Sequence, residues 1–152
     1  MPVLVGGPAS NLAIWVGTWA LLDPINWHFG RPSIVGDWFE GRWGRTLALG
    51  GAFAFTVPSA FTVPTGEAHW HVLLRARAVE NGAFVIAPAQ GGLHANGRHT
   101  YGHSLIIDPW GEILAEAGTE PGVIYADIDP ALSAAARAKI PNLQHGRDFT
   151  GP

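Results

Sequence analysis

Residues 83–88 read AFVIAP, an apolar run with no polar side chain in it. A stretch of this length and texture is the pattern of a strand buried on both faces, so it belongs in the middle of a sheet and not at its edge. The rest of the chain has to supply neighbouring strands and covering layers. Residues 65–82 offer a helix: Thr65 can cap it through its hydroxyl, and Glu67 falls in the first turn, where negative charge meets the positive end of the helix dipole. Asn81-Gly82 stops it. Along this helix Val72, Ala76 and Val79 share one face, which is expected to cover the sheet, while Arg75 and Glu80 fall elsewhere.

The remaining elements are punctuated clearly. Residues 46–51 form a short helical piece that Gly50-Gly51 ends, and residues 52–57 form a strand. Residues 103–108 and 112–117 flank Asp108-Pro109-Trp110-Gly111, where Pro pre-sets the second turn position and Gly suits the fourth, so they pair as a hairpin. Residues 122–128 (GVIYADI) have the composition of another strand. Asp129-Pro130 opens a final Ala-rich helix, and Pro141 closes it. Helices and strands in this order give a layered α/β or α+β fold.

A chain of 152 residues is long enough for one domain that buries about two thirds of its unfolded surface. Hydrophobic residues make up 47% and charged residues only 14%, with seven Trp and seven Phe. So little charge on so much apolar surface implies that a partner covers part of it, and a homo-oligomer or association with a homologous subunit is expected. The net charge is −3 and the nine basic residues are scattered, which excludes the electrostatic footprint of a nucleic-acid binder. The apolar run 12–22 is too short to span a bilayer, and no Lys or Arg precedes Arg31 as a signal peptide requires, so a cytoplasmic location is expected. The cysteine count is zero, which rules out disulfides, thiolate metal sites and thiol nucleophiles.

Residues 1–45 form a different compartment, rich in Gly, Pro and Trp, whose apolar positions hold neither the helical nor the strand period for long. The Trp residues there are expected in core or interface packing. From residue 46 onward the chain resembles the nitrilase superfamily of carbon–nitrogen hydrolases, and within it is most similar to the branch that includes omega-amidase and deaminated glutathione amidase. The likeness lies in TLALGGAFAFTVPSAFTVPTGEAHW, LLRARAVENGAFVIAPAQGG, RHTYGHSLIIDPWGEILAEAG and IPNLQHGRDFTGP, segments that are long, collinear and mutually spaced. His145-Gly146-Arg147 stands where His-Arg-Arg is usual. The resemblance implies that residues 46–152 are the C-terminal half of such a domain, a partial αββα sandwich.

Enzymes of this family use a Glu, a Lys and a Cys, the Cys attacking carbon to give a thioester that water cleaves. Aligned without gaps back from Thr46, the Cys position falls on Val35 and the family's Cys-Tyr-Asp-x-Arg-Phe-Pro-Glu pattern keeps only Asp37. The motif's Tyr, Arg, Pro and Glu positions fall on Gly36, Phe39, Gly41 and Arg42. Valine has no lone pair with which to attack. The only Lys is Lys139, in the final helix, and residues 1–45 hold no Lys and a single acid–base candidate among the glutamates, Glu40. All three triad members are missing, so no catalytic residue and no cofactor is assigned. The resemblance does place the loop containing Ser59, Phe61 and Thr65 beside the family's substrate pocket, and these three are the candidate remnant of it.

Other constellations carry less. His69 and His71 diverge on a helix, and packing of His69-Trp70 against the loop 59–65 is the expected role. His94 and His99 flank the tight-turn signal Asn96-Gly97 and, with His103, offer three imidazoles to a divalent metal, but no carboxylate sits at helpful spacing and no metal is expected. Ser104 beside His103 and Asp108 lacks the strand geometry and the Gly-x-Ser-x-Gly elbow of a serine hydrolase. Arg77 and Glu80 suit an ion pair one turn apart.

Two functional expectations follow, with a third held in reserve. The first is a catalytically silent relative, truncated on its N-terminal side and encoded by a damaged or frame-shifted gene. The second is an interaction module that keeps the fold to dimerise or to join a full-length homologue, since half a sandwich leaves edges and an apolar face to cover. The reserve is an amidase in which water attacks directly.

Overall fold

The computed structural model describes residues 42–146. Val35, Asp37, Glu40, the run 12–22 and the tail from Arg147 onward therefore lie outside the described residues. Helix α1 (Arg42–Leu49) comes first. It ends where the backbone N–H of Gly50 meets Thr46 O at 3.0 Å and Gly51 turns left-handed at φ 94°, the Gly-Gly stop anticipated above.

Strand β1 (Ala54–Thr56) follows, then a helical stretch in three parts: α2 (Val63–Thr65), a wide π-helical turn (Gly66–Trp70) and α3 (His71–Asn81). The start corrects the expectation for Thr65. Pro64 pre-sets the backbone for a first turn, so the helix begins at Val63, ahead of Thr65, whose hydroxyl donates back to Thr62 O at 3.1 Å and caps nothing. The covering face is also different from the one expected. Val72, Ala76 and Val79 are exposed, and Trp70, Leu74, Ala78 and Asn81 are buried instead. The buried residues fall at i, i+4, i+8 and i+11 from Trp70, the spacing that keeps one stripe on the sheet.

Strand β2 (Phe84–Ala87) is the AFVIAP run. It lies inside a four-stranded sheet, parallel to β1 on one side and antiparallel to β5 (Leu105–Ile107) on the other, with β6 (Ile113–Glu116) beyond β5. Phe55, Val57, Val85, Ala87, Leu105 and Ile107 turn toward Leu74 and Ala78 to make the core. Burial of each such side chain contributes about 1.5–3 kcal/mol. Between β5 and β6, Asp108 Oδ1 accepts from Trp110 N at 2.9 Å and Glu112 N at 2.7 Å, and Gly111 takes φ 86°. The hairpin stands as the sequence predicts.

A separate two-stranded hairpin, β3 (Gly91–Leu93) with β4 (His99–Tyr101), turns at Gly97 with φ 80°. Residues 122–128 are not a strand: they pair with no other described segment, and Val123 and Tyr125 are 68% and 80% exposed. Their composition favours extension, but a ladder needs a neighbour.

Helix α4 (Pro130–Lys139) is capped by Asp129, whose carboxylate accepts from Ala131 N at 2.9 Å, and a 3₁₀ turn (Asn142–His145) closes the described chain. Both serve the C-terminal end of α3, where helix carbonyls run out of partners. Arg137 donates to Asn81 O at 3.0 Å and to Ala52 O at 2.5 Å, Ser133 to Gly82 O at 2.5 Å, and Asn142 to Glu80 O at 2.6 Å. Helices thus lie over an open mixed sheet, a layered α/β arrangement. Among the described residues no helix is long and apolar enough to cross a membrane.

Candidate functional site

Three chain segments meet at the start of α3, and each arrives through an irregular piece of backbone. His71 opens α3 directly after the π-helical turn. His103 follows Gly102 in the corner between β4 and β5, with φ 58°, a left-handed conformation rare outside glycine. Its N–H donates to Gly118 O at 3.1 Å, and its carbonyl accepts from Trp70 Nε1 at 2.7 Å, so the corner is held from both sides. Glu116 ends β6 opposite Leu105, while Ile107 faces Ile113 and Ile106 faces Ala115. The ladder therefore carries one extra residue at Leu114. That bulge turns Glu116 to the helix-covered side of the sheet, which strict alternation from Ile113 would deny it.

The side chains converge. His71 Nε2 lies 3.0 Å and His103 Nδ1 2.9 Å from the same oxygen, Glu116 Oε1. An ionised carboxylate only accepts, so both rings donate, His71 with its proton on Nε2 and His103 with its proton on Nδ1. Burial pushes the Glu116 carboxyl up, but the hydrogen bonds from His103 and His71, with the charge those rings can carry, outweigh it and hold the group below its usual range. Tyr101 stacks on His103 with centroids 4.3 Å apart and meets His71 edge-on at 6.1 Å. One donor atom from each of His71, His103 and Glu116 lies within 4.8 Å of the other two, and all three side chains keep partial access to solvent. Two imidazoles and a carboxylate at this spacing can relay a proton or share a cation.

The loop singled out by sequence leads toward this cluster. Ser59 bridges to Ala89, with its N–H on Pro88 O at 3.0 Å. Phe61 receives Tyr101 N on its carbonyl at 3.0 Å and sets its ring 5.1 Å from that of Trp70. Thr65 is exposed, and its hydroxyl is turned to Thr62. Phe61 thus meets two residues beside the cluster, Trp70 and Tyr101.

His94 and His99 do not converge: His94 Nε2 lies 2.6 Å from Thr100 Oγ1, and His99 is exposed at the strand start. Ser104 Oγ accepts from Ala89 N at 2.9 Å and Asp108 caps its turn, so neither joins His103. Arg77 pairs with Glu80 as expected, and Lys139 Nζ sits 5.4 Å over the Trp110 ring. The sequence reading missed the grouping of His71, His103 and Glu116 because its carboxylate reaches the site through a bulge that no residue type announces. The one local signal was Gly102-His103 at a strand entrance.

Residues 32–138 match the carbon–nitrogen hydrolase family. A deaminated glutathione amidase from Synechocystis sp. (strain PCC 6803 / GT-S) is 54% identical over 101 residues, covering 66% of this chain and 37% of that protein. Saccharomyces cerevisiae Nit3, a member of branch 10 of the nitrilase superfamily, superposes with a TM-score of 0.63 at 40% identity, covering 66% of this chain and 37% of that one. A mutant of the amidase from Nesterenkonia sp. AN1, with the acetamide moiety of fluoroacetamide added covalently at its active-site cysteine, superposes at 0.56 with 30% identity, covering 70% of this chain and 36% of that one. The chain thus spans little more than a third of the length of these relatives. A family match that takes in residues 32–138, on a fold shared with solved members, means that the chain belongs to the carbon–nitrogen hydrolase family.

Proposed function

We propose that these 152 residues form a carbon–nitrogen hydrolase relative that does not itself carry out the family's thioester chemistry. The observation that supports this most is the absence of any cysteine from the sequence, in a family where a mutant amidase carries the acetamide moiety of fluoroacetamide added covalently at its active-site cysteine. A hydroxyl or an imidazole cannot replace a thiolate without a base placed to activate it. Ser104, the serine nearest a histidine in sequence, spends its hydroxyl on Ala89. The lone lysine, over Trp110, is engaged far from the loop 59–65 in sequence and by a different contact. Under this reading Ser59, Phe61 and Thr65 border what remains of an amide pocket, and the protein resides in the cytoplasm. The test is exposure of the chain to fluoroacetamide and to small omega-amides, read by intact-mass spectrometry and by ammonia release. No mass increase and no ammonia above buffer are expected. An added acetamide mass, or turnover that scales with protein concentration, overturns the proposal.

A second reading is favoured by the segment 122–128. Half-buried Ile124, Ala126 and Ile128 alternate there with exposed Val123, Tyr125 and Asp127, a strand-like pattern with no ladder partner among the described residues. On this reading the chain associates with a second copy or with a full-length homologue, which completes the sheet at that segment. Light scattering across a range of concentrations checks it. A mass above that of the monomer is expected, and a monomer at every concentration, with or without a full-length relative, removes it.

A further inference from the structure

We propose that His71, His103 and Glu116 form a binding site for a first-row divalent cation of the zinc type, held by two imidazole nitrogens and one carboxylate oxygen. The three donors come from three separate elements, the start of α3, the β4–β5 corner and the end of β6. Each is delivered by a departure from regular backbone: a π-helical turn before His71, a left-handed φ of 58° at His103, and a ladder irregularity before Glu116. Such departures concentrate where a side chain must be aimed, because regular structure is otherwise cheaper. Three of them aimed at one point are hard to explain as packing, since these side chains remain partly solvent-accessible and add little to the core.

The donor set fits the ion. Nitrogen with carboxylate suits zinc, cobalt or nickel, whereas magnesium and calcium prefer all-oxygen shells. Zinc bonds of about 2.0–2.2 Å place tetrahedral ligand atoms about 3.4 Å apart. The imidazole-to-carboxylate separations here are 3.0 and 2.9 Å and the three atoms all lie within 4.8 Å, so sub-ångström to ångström side-chain shifts admit the ion. The protons also balance. Each neutral ring moves its proton to the nitrogen facing away from Glu116, Nδ1 in His71 and Nε2 in His103, and frees a lone pair without losing charge. Solvent access leaves the fourth position to water. Tyr101, stacked on His103 at 4.3 Å, fixes the plane of that ring.

The experiment titrates the full chain with Zn²⁺ in competition with a chromophoric chelator. Histidine ring nitrogens are followed in parallel by ¹⁵N NMR. One equivalent of Zn²⁺ is expected to bind, Mg²⁺ is expected not to, and the ring signals of His71 and His103 are expected to exchange tautomer while those of the other histidines stay put. Glu116→Gln and His71→Ala, both at accessible positions, each weaken Zn²⁺ binding about tenfold or more, and His99→Ala leaves it unchanged. Absence of stoichiometric binding, affinity that survives both substitutions, or shifts confined to other histidines overturns the site. Should either variant fail to fold, the ring signals of the unsubstituted protein decide the matter alone.

Discussion

Leu74 has no exposed surface and stands on the stripe of α3 that faces the sheet. Truncation there leaves a cavity that β2 and β5 cannot collapse to fill, so Leu74→Ala is expected to cost about 2–5 kcal/mol, measured by urea denaturation. Val72→Ala, on the exposed side of the same helix, is expected to shift stability by less than about 0.5 kcal/mol in the same assay. Gly66 presents the opposite constraint. A β-carbon there would lie 2.2 Å from Tyr101 Cγ, so Gly66→Ala forces the ring aside and is expected to cost about 1–3 kcal/mol by calorimetry. Composition could not separate Leu74 from Val72, since both are aliphatic and both suit a helix. The difference comes from which face of α3 packs on the sheet, a tertiary choice that puts Leu74 in line with Trp70 and Ala78 and that no residue type on the helix signals.

Among the elements, the ones legible in the sequence are those whose cause is local. The run at 83–88 declares a doubly covered strand, Asp108 through Gly111 declare a turn, and Asp129-Pro130 declares a helix start, each within a few residues. Residues 122–128 have strand composition without strand pairing, because a ladder depends on a partner far away in the chain. The cap of α3 by α4 is equally non-local. Arg137 carries it, donating to the carbonyls of Asn81 and Ala52, and burial lowers the pKa of its guanidinium from the usual value without removing its charge. Arg137→Met keeps the stem and removes both bonds. A loss of about 1–3 kcal/mol for each carbonyl that water fails to reach is expected, read as a lower urea midpoint.

For the molecule as a whole, family membership was legible from four collinear segments, and the family match over residues 32–138 agrees with it. The candidate site was only partly so. Phe61 borders the histidine cluster through Trp70 and Tyr101, whereas Ser59 and Thr65 are occupied with backbone and with Thr62. Sequence distance groups His103 with His94 and His99, whereas folding brings it to His71 and Glu116. The exposed Tyr125 offers a test of association at this scale. Tyr125→Asp is expected to leave thermal stability at high dilution nearly unchanged and to abolish any rise of the melting temperature with protein concentration, as measured by scanning calorimetry.

The turn at Gly66–Trp70 also bears on how such a chain tolerates change in length. It holds one residue more than an ordinary helix fits into the same rise, so that segment can absorb a single-codon deletion and stay helical. Removing Ala68 would convert the turn to regular geometry and leave Val63–Thr65 close to its present orientation about the axis of α3. Lineages that lost that codon would keep a folded protein whose 59–65 loop still approached the histidines from its present side.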